Sequence, residues 1–194
     1  MAVEIAVAVG DLAPVQIKSW DSAWSDRFTV CADLVRGALG GYAVRVDHIG
    51  STAVPGLPGR PHLDLQVSVS EPEAEEEYRG ALERLGFALC VREADRRVFV
   101  AQPGRLPAHA PRCETHVYVC RAGGVLEYDQ LLLVQYLANH ADRREQYADL
   151  KRRLAREFRD DPAAYAEGKR PFLRETVRQA HRAYVDFQTL ADVL

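Results

Sequence analysis

The 194-residue chain has no apolar run approaching the roughly 20 residues that a membrane-spanning helix needs. It has little charge imbalance either: 25 basic against 28 acidic side chains give a formal net charge of −3. No global field therefore draws it to a nucleic-acid backbone or an anionic membrane, and neither is an expected partner. Cysteine is scarce. The four residues, Cys31, Cys90, Cys113 and Cys120, show no C-x-x-C spacing and read as reduced thiols that fill the core. Met1-Ala-Val-Glu-Ile carries an acid where a secretory leader needs basic residues, so the expected location is cytoplasmic. Repeats and low-complexity segments are lacking too. What is present, 47% hydrophobic and 27% charged residues, is the mix of an ordinary globular protein. The length suits one compact unit, with an α/β core over residues 1–122 and a helical part, residues 123–194, packed on it. The composition says nothing of oligomeric state.

Phe28, Cys31, Val35, Ala38 and Leu39 recur at helical spacing, with Asp21 or Ser22 as cap and Gly40-Gly41 as stop. Residues 44–49 read as a strand, and residues 50–61 hold too much Gly and Pro for regular structure. In the next segment Leu63, Leu65, Val67 and Val69 alternate with His62, Asp64, Gln66 and Ser68, which predicts a strand buried on one face. Ser70-Glu71-Pro72-Glu73 reads as a capping box for a helix to Leu85, stopped by Gly86. Short strands at 87–91 and 97–101 precede a Pro-rich loop and a strand over 114–120, on which Glu114, His116, Tyr118 and Cys120 share a face. Helices are expected over 126–138, 142–158 and 162 to about 193, with breaks at Asp160-Asp161-Pro162 and at Pro171.

A Gly-Ser pair directly after a strand leaves main-chain N–H groups and a hydroxyl to cradle phosphate; Gly50, Ser51 and Thr52 are the candidates. Asp64 follows on the polar face of the next strand, where a carboxylate can hold a divalent metal. The plainer alternative is a long turn and a solvated Asp64. Arg60 and Arg112 lie in loops from which a guanidinium can meet phosphate or carboxylate. His48, His62, Glu114 and His116 around Asp64 would make an imidazole-rich pocket, suited to Zn²⁺ or Fe²⁺ or satisfied by hydrogen bonds alone. Farther on, Arg143, Arg144, Lys151, Arg152, Arg153, Arg156 and Arg159 concentrate positive charge, and Tyr147/Lys151 and Tyr165/Lys169 each share a helix face. Such a face can offer cations to a triphosphate and an aromatic surface to a base, or be neutralised by Asp142, Glu145, Asp149 and Glu157. No Gly-x-Ser-x-Gly elbow accompanies Ser51, which argues against a nucleophilic serine.

The stretch from Val46, Val-Asp-His-Ile-Gly-Ser-Thr-Ala-Val-Pro-Gly-Leu-Pro-Gly-Arg-Pro-His-Leu-Asp-Leu, resembles the signature of the GrpB-like family of the nucleotidyltransferase superfamily. Trp24 with Phe28, Thr115-His116-Val117, Tyr147 with Leu150-Lys151, and Tyr165 with Lys169 extend the likeness over nearly the whole chain. The resemblance implies a nucleotidyltransferase-like mixed α/β core with a helical C-terminal part, and it singles out Lys151 and Lys169. Some members are fused to a coenzyme A biosynthesis enzyme. The active superfamily pattern is Gly-Ser and then a strand with Asp-x-Asp or Asp-x-Glu, whereas this strand reads Asp64-Leu65-Gln66, and an amide brings no charge to a metal.

The leading expectation is an enzyme that uses a nucleoside triphosphate and Mg²⁺ to transfer a nucleotidyl group to a small molecule, or to activate it, for instance for amide formation. Gly50, Ser51, Thr52, Arg60, Tyr147, Lys151 and Lys169 would bind substrate or phosphate, Asp64 and Glu114 metal, and His116 or His48 would accept a proton. Two rivals stand beside it: a non-catalytic nucleotide or small-molecule binder that has lost its second carboxylate, and a metal enzyme that uses the histidine pocket without nucleotide.

Overall fold

A computed structural model describes residues 14–191, with side chains as far as Tyr184. The chain order is α1 (Ala23–Leu39), β1 (Arg45–Ile49), β2 (His62–Val69), α2 (Glu76–Leu85), β3 (Ala88–Arg92), β4 (Arg96–Ala101), β5 (Glu114–Arg121), α3 (Val125–Asn139), α4 (Ala141–Glu157) and α5 (Pro162–Ala191). The strands form a mixed sheet in the order β1-β2-β5-β4-β3, with β2 and β5 parallel and the other neighbours antiparallel. This is the expected α/β architecture.

One face of the sheet follows from apolar alternation. Leu63, Leu65, Val67 and Val69 of β2 and Val117 and Val119 of β5 pack with Trp24, Cys31 and Val35 of α1 and Tyr78 and Leu82 of α2. The expectation that β2 is buried on this face alone is corrected: Asp64, Gln66 and Ser68 are buried as well, as are His116, Tyr118 and Cys120 opposite them. Helix α3 lies against β1 and β5 on that side, so polar strand residues are enclosed rather than solvated. Their alternation with apolar residues reflected two unlike interiors, not an inside and an outside.

Local structure differs from expectation in two places. Ser70-Glu71-Pro72-Glu73 does not cap a helix, which begins only at Glu76 with Glu75 at its N-cap. Arg121 donates to the Ser70 carbonyl and to the Glu73 carboxylate, and the Tyr78 hydroxyl donates to the Pro72 carbonyl, and together these hold the segment in turns. Pro171 lies inside α5 without breaking it. Buried Leu173, Val177 and Ala180 pack the following turns against the rest of the bundle, which offsets the hydrogen bond that proline forfeits. At the start of α1 the main-chain N–H of Ala23 donates to Asp21 Oδ1 at 3.0 Å, and Ser22 makes no side-chain cap bond. All four cysteines are free. No helix among the described residues is long and apolar enough to cross a membrane.

Glu75 ties α2 to the β3–β4 hairpin. Arg92 donates to both of its oxygens at 2.6 and 2.8 Å, and Arg97 and Arg79 add contacts at 3.2 and 3.3 Å. Hydrogen bonds from Arg92 hold the carboxyl down at about 2 against its ordinary 4.5. A depressed acid contributes stability that is complete above its unfolded value and lost as pH falls through the folded one. Glu75→Gln is expected to cost about 1 kcal/mol at pH 7. Urea unfolding of both proteins at several pH values checks this: the gap should shrink below pH 4.5 and close near pH 2.

Candidate functional site

The antiparallel register sets Ile49, the last residue of β1, opposite Asp64, so the turn that follows begins beside that carboxylate. Gly50 has φ 72°, and a Cβ there would stand 2.2 Å from Asp64 Oδ2. Backbone conformation and space both demand glycine. Ser51–Ala53 then form a 3₁₀ turn. Trp20 Nε1 donates to the Thr52 carbonyl at 3.0 Å, and Val54 and Leu57 are each 1% exposed, in a cluster with Leu133, Leu137, Tyr147 and Leu173. The Gly- and Pro-rich segment is thus pinned from below. Lys151 pins it from α4: its Nζ donates to Ser51 Oγ at 2.9 Å and to the Pro58 carbonyl, and it lies over the Tyr147 ring. At 1% exposure, burial and the neighbouring cations Lys169 and Arg152 push its pKa well below the usual lysine value.

Asp64 is the centre of the polar floor. His62 Nε2 lies 3.3 Å from Oδ2, His116 Nδ1 3.4 Å from Oδ1, and the Tyr118 hydroxyl donates to Oδ1 at 3.3 Å. The His62 and His116 rings stack at 4.7 Å, and His116 Nε2 meets Glu114 Oε1 at 2.7 Å. Burial alone would raise the Asp64 carboxyl, but the facing imidazoles hold it well below the usual carboxylate range. Burial would likewise lower His116, yet hydrogen bonds to Asp64 and Glu114 outweigh it and push the imidazole up to about 9. Burial keeps His62 below its ordinary value. At neutral pH the floor is therefore a carboxylate, an imidazolium and a neutral imidazole.

Gly50, Ser51, Thr52, Arg60, His62, Asp64, His116 and Tyr118 line one side of a pocket whose other side is built from α3, α4 and α5, with Leu133, Leu137, Tyr147, Tyr165, Lys169 and Leu173. Lys169 lies 4.4 Å from the Tyr165 ring centroid, and burial with the nearby Arg60 charge lowers it to about 8. Most residues singled out from the sequence thus converge. Four do not sit where expected. His48 pairs with Leu65, hence points to the opposite sheet face, where it stacks on Phe28 at 4.7 Å and meets Thr52 Oγ1 at 3.0 Å. Burial takes it down to about 4. Glu114 shares the His116 face, but its oxygens are taken by His116 and by Gln102 Nε2 at 3.2 Å. Lys151 lies behind Ser51 rather than in the pocket lining, and Arg112 is exposed outside it. Among the helix arginines, Arg143 packs on Phe172 and donates to Thr176, Arg144 donates to the Leu137 carbonyl, and Arg152 pairs with Asp149.

Residues 14–179 match the family described as GrpB protein. The chain belongs to the GrpB family. Its relatives include the UPF0157 protein BH1888 of Halalkalibacterium halodurans, 32% identical over 90% of this chain and 89% of that one. The crystal structure of the conserved protein GrpB from Enterococcus faecalis superposes with a TM-score of 0.75 at 25% identity, covering 87% of this chain and 99% of that one. The Cid1 poly(U) polymerase in its MgGTP-bound form superposes with a TM-score of 0.51 at 14% identity, over 72% of this chain and 44% of that one. That likeness is of fold: the chain has a nucleotidyltransferase-like sheet and helix arrangement.

Strand parity places Tyr118 on the His116 face, but it does not figure among the site residues expected from the sequence, although its hydroxyl donates to Asp64. The rarity of lysine was the other unused signal. Of 25 basic residues only three are lysine, and two of these, Lys151 and Lys169, fold into the site's surroundings. Gly50→Ala is expected to destabilise the protein by about 1–3 kcal/mol through strain at positive φ and the displaced Asp64. Thermal unfolding, with a crystal structure of the variant, checks this; unchanged stability and an unmoved Asp64 would show that the contact is not restrictive.

Proposed function

We propose that this pocket binds a nucleoside triphosphate and that the protein transfers the nucleotidyl group to a small molecule or uses it to activate one. The observation that carries the reading is the convergence, in one pocket, of the Gly50–Ser51–Thr52 turn, the cations Arg60 and Lys169, and Asp64, facing an apolar and aromatic wall. Small residues let phosphate approach the main chain, and the half-buried cations Arg60 and Lys169 neutralise it. The wall of Leu133, Leu137, Tyr147 and Tyr165 suits the flat face of a base. Lys151 acts one step back, holding Ser51 in place. With no metal ion bound, hydrogen bonds to Asp64 and Glu114 keep His116 protonated at neutral pH, so in that state it serves as hydrogen-bond donor to the site rather than as proton acceptor.

A pair of magnesium ions does not fit this floor. Magnesium takes a nearly all-oxygen octahedral shell at about 2.0–2.1 Å. Asp64 is the one carboxylate among the described residues that line the pocket. Glu114 is engaged by His116 and Gln102, and Gln66, 1% exposed, brings no charge. The same shortage of carboxylates favours the second reading, a nucleotide-binding protein without turnover, and product analysis separates the two.

Calorimetric titration with ATP, GTP, CTP and UTP tests the reading: one of them should bind, and Lys169→Met should weaken it about tenfold or more. Absence of binding by all four would sink it. Because burial sets Lys169 near 8, its charge is present at pH 7 and lost as pH rises through 8. Affinity should fall between pH 7 and pH 9, and the fall should be shallower in Lys169→Met, which has no charge at that position to lose.

A further inference from the structure

We propose that His62, Asp64 and His116 hold a single transition-metal ion of the zinc or iron(II) class, in place of the magnesium pair that the fold suggests. His62 and Asp64 stand two residues apart on one face of β2, and the parallel register brings His116 of β5 opposite Asp64. One donor atom from each lies within 4.8 Å of the others. His62 Nε2 is 3.3 Å from Asp64 Oδ2 and His116 Nδ1 is 3.4 Å from Oδ1, each the length of a polyhedron edge but to a different oxygen, so an ion held by both imidazoles would take the carboxylate through both oxygens or turn it to present one. Zinc bonds to imidazole nitrogen and carboxylate oxygen run about 2.0–2.2 Å, and a tetrahedron of such bonds has edges of about 3.3–3.6 Å.

The chemistry of the donors agrees. Two imidazoles and one carboxylate with further positions open are a set that zinc and iron(II) accept and that magnesium disfavours. The surroundings also match those of a ligating histidine. Glu114 Oε1 lies 2.7 Å from the far nitrogen of His116, the carboxylate–imidazole contact that orients such ligands, and the Tyr118 hydroxyl steadies Asp64. Glu114 thereby becomes a positioning residue. Gly50, Ser51 and Arg60 line the same pocket. A metal with open positions there would act as a Lewis acid on an oxygen of whatever occupies that end.

This inference rests on the pocket being the working site, and its test needs no nucleotide. Untagged full-length protein, stripped with a chelator, is titrated with ZnSO₄, CoCl₂ and MgCl₂. The expected result is one equivalent of Zn²⁺ bound about 100-fold or more tightly than Mg²⁺, and a Co²⁺ form with the visible absorption of four- or five-coordinate cobalt. His62→Gln and His116→Gln should each weaken Zn²⁺ about 100-fold, and Glu114→Gln about 10-fold or more, with melting curves in the absence of metal confirming that each variant folds. His48→Ala, altered on the other face of the sheet, should bind Zn²⁺ as the parent does. The wild-type titration and cobalt spectrum stand even where a variant misfolds. Failure of the wild-type protein to take up stoichiometric Zn²⁺ or Co²⁺, or undiminished affinity in both histidine variants, overturns the proposal. Zn²⁺ uptake without binding of any nucleotide sinks the nucleotide reading and leaves the metal site standing; nucleotide binding without Zn²⁺ uptake does the reverse.

Discussion

Burial of the Asp64 carboxylate is the constraint around which the site is arranged. At 8% exposure, an unaccompanied carboxylate would cost several kcal/mol. The fold surrounds it with donors: two imidazoles, a tyrosine hydroxyl, and more distantly the charge of Lys169. The parallel pairing of β2 with β5 makes this possible, because residues in register share a face and Asp64 is opposite His116. The close approach of Gly50 follows from the β1–β2 register in the same way. Two strand pairings therefore determine which polar groups meet, and α3, α4 and α5 close over the result.

Lys151 is a second buried ionisable group, and it solves a different problem. A segment rich in Gly and Pro has few main-chain hydrogen bonds of its own and needs outside anchors to keep a single shape. The Lys151 Nζ reaches Ser51 Oγ and the Pro58 carbonyl at once, so α4 holds the turn from which any ligand would be met. Desolvation lowers its pKa, and the hydrogen bonds retain it in place. Preorganisation of this kind places the cost of ordering the turn in folding rather than in binding.

Membership of the GrpB family and a nucleotidyltransferase-like fold define the scaffold, while the donor set defines what the scaffold can hold. At its centre this chain has a pair of histidines about the Asp64 carboxylate, with the uncharged Gln66 two residues further along β2. A change from hard oxygen to imidazole donors alters which ions bind.

Much of the architecture was legible because it depends on local periodicity. The alternation of β2, the helices of the C-terminal part and the stop at Gly86 are written in neighbours a few residues apart, and the long signature around Gly50 and Ser51 points to the fold. Parity placed His116 and Glu114 on one face correctly. Tertiary packing decided the rest. Alternation in β2 distinguishes two faces but not whether the second meets water, and α3 buries it. The strand of His48 was visible, yet its face depends on the pairing of His48 with Leu65, which no local pattern specifies. A lysine four residues from a tyrosine shares its helix face, but whether it meets a ligand, as Lys169 is placed to do, or a loop, as Lys151 does, depends on which chain segment lies across from it. Local sequence sets the direction of a side chain relative to its own element; only long-range packing sets what stands at its end.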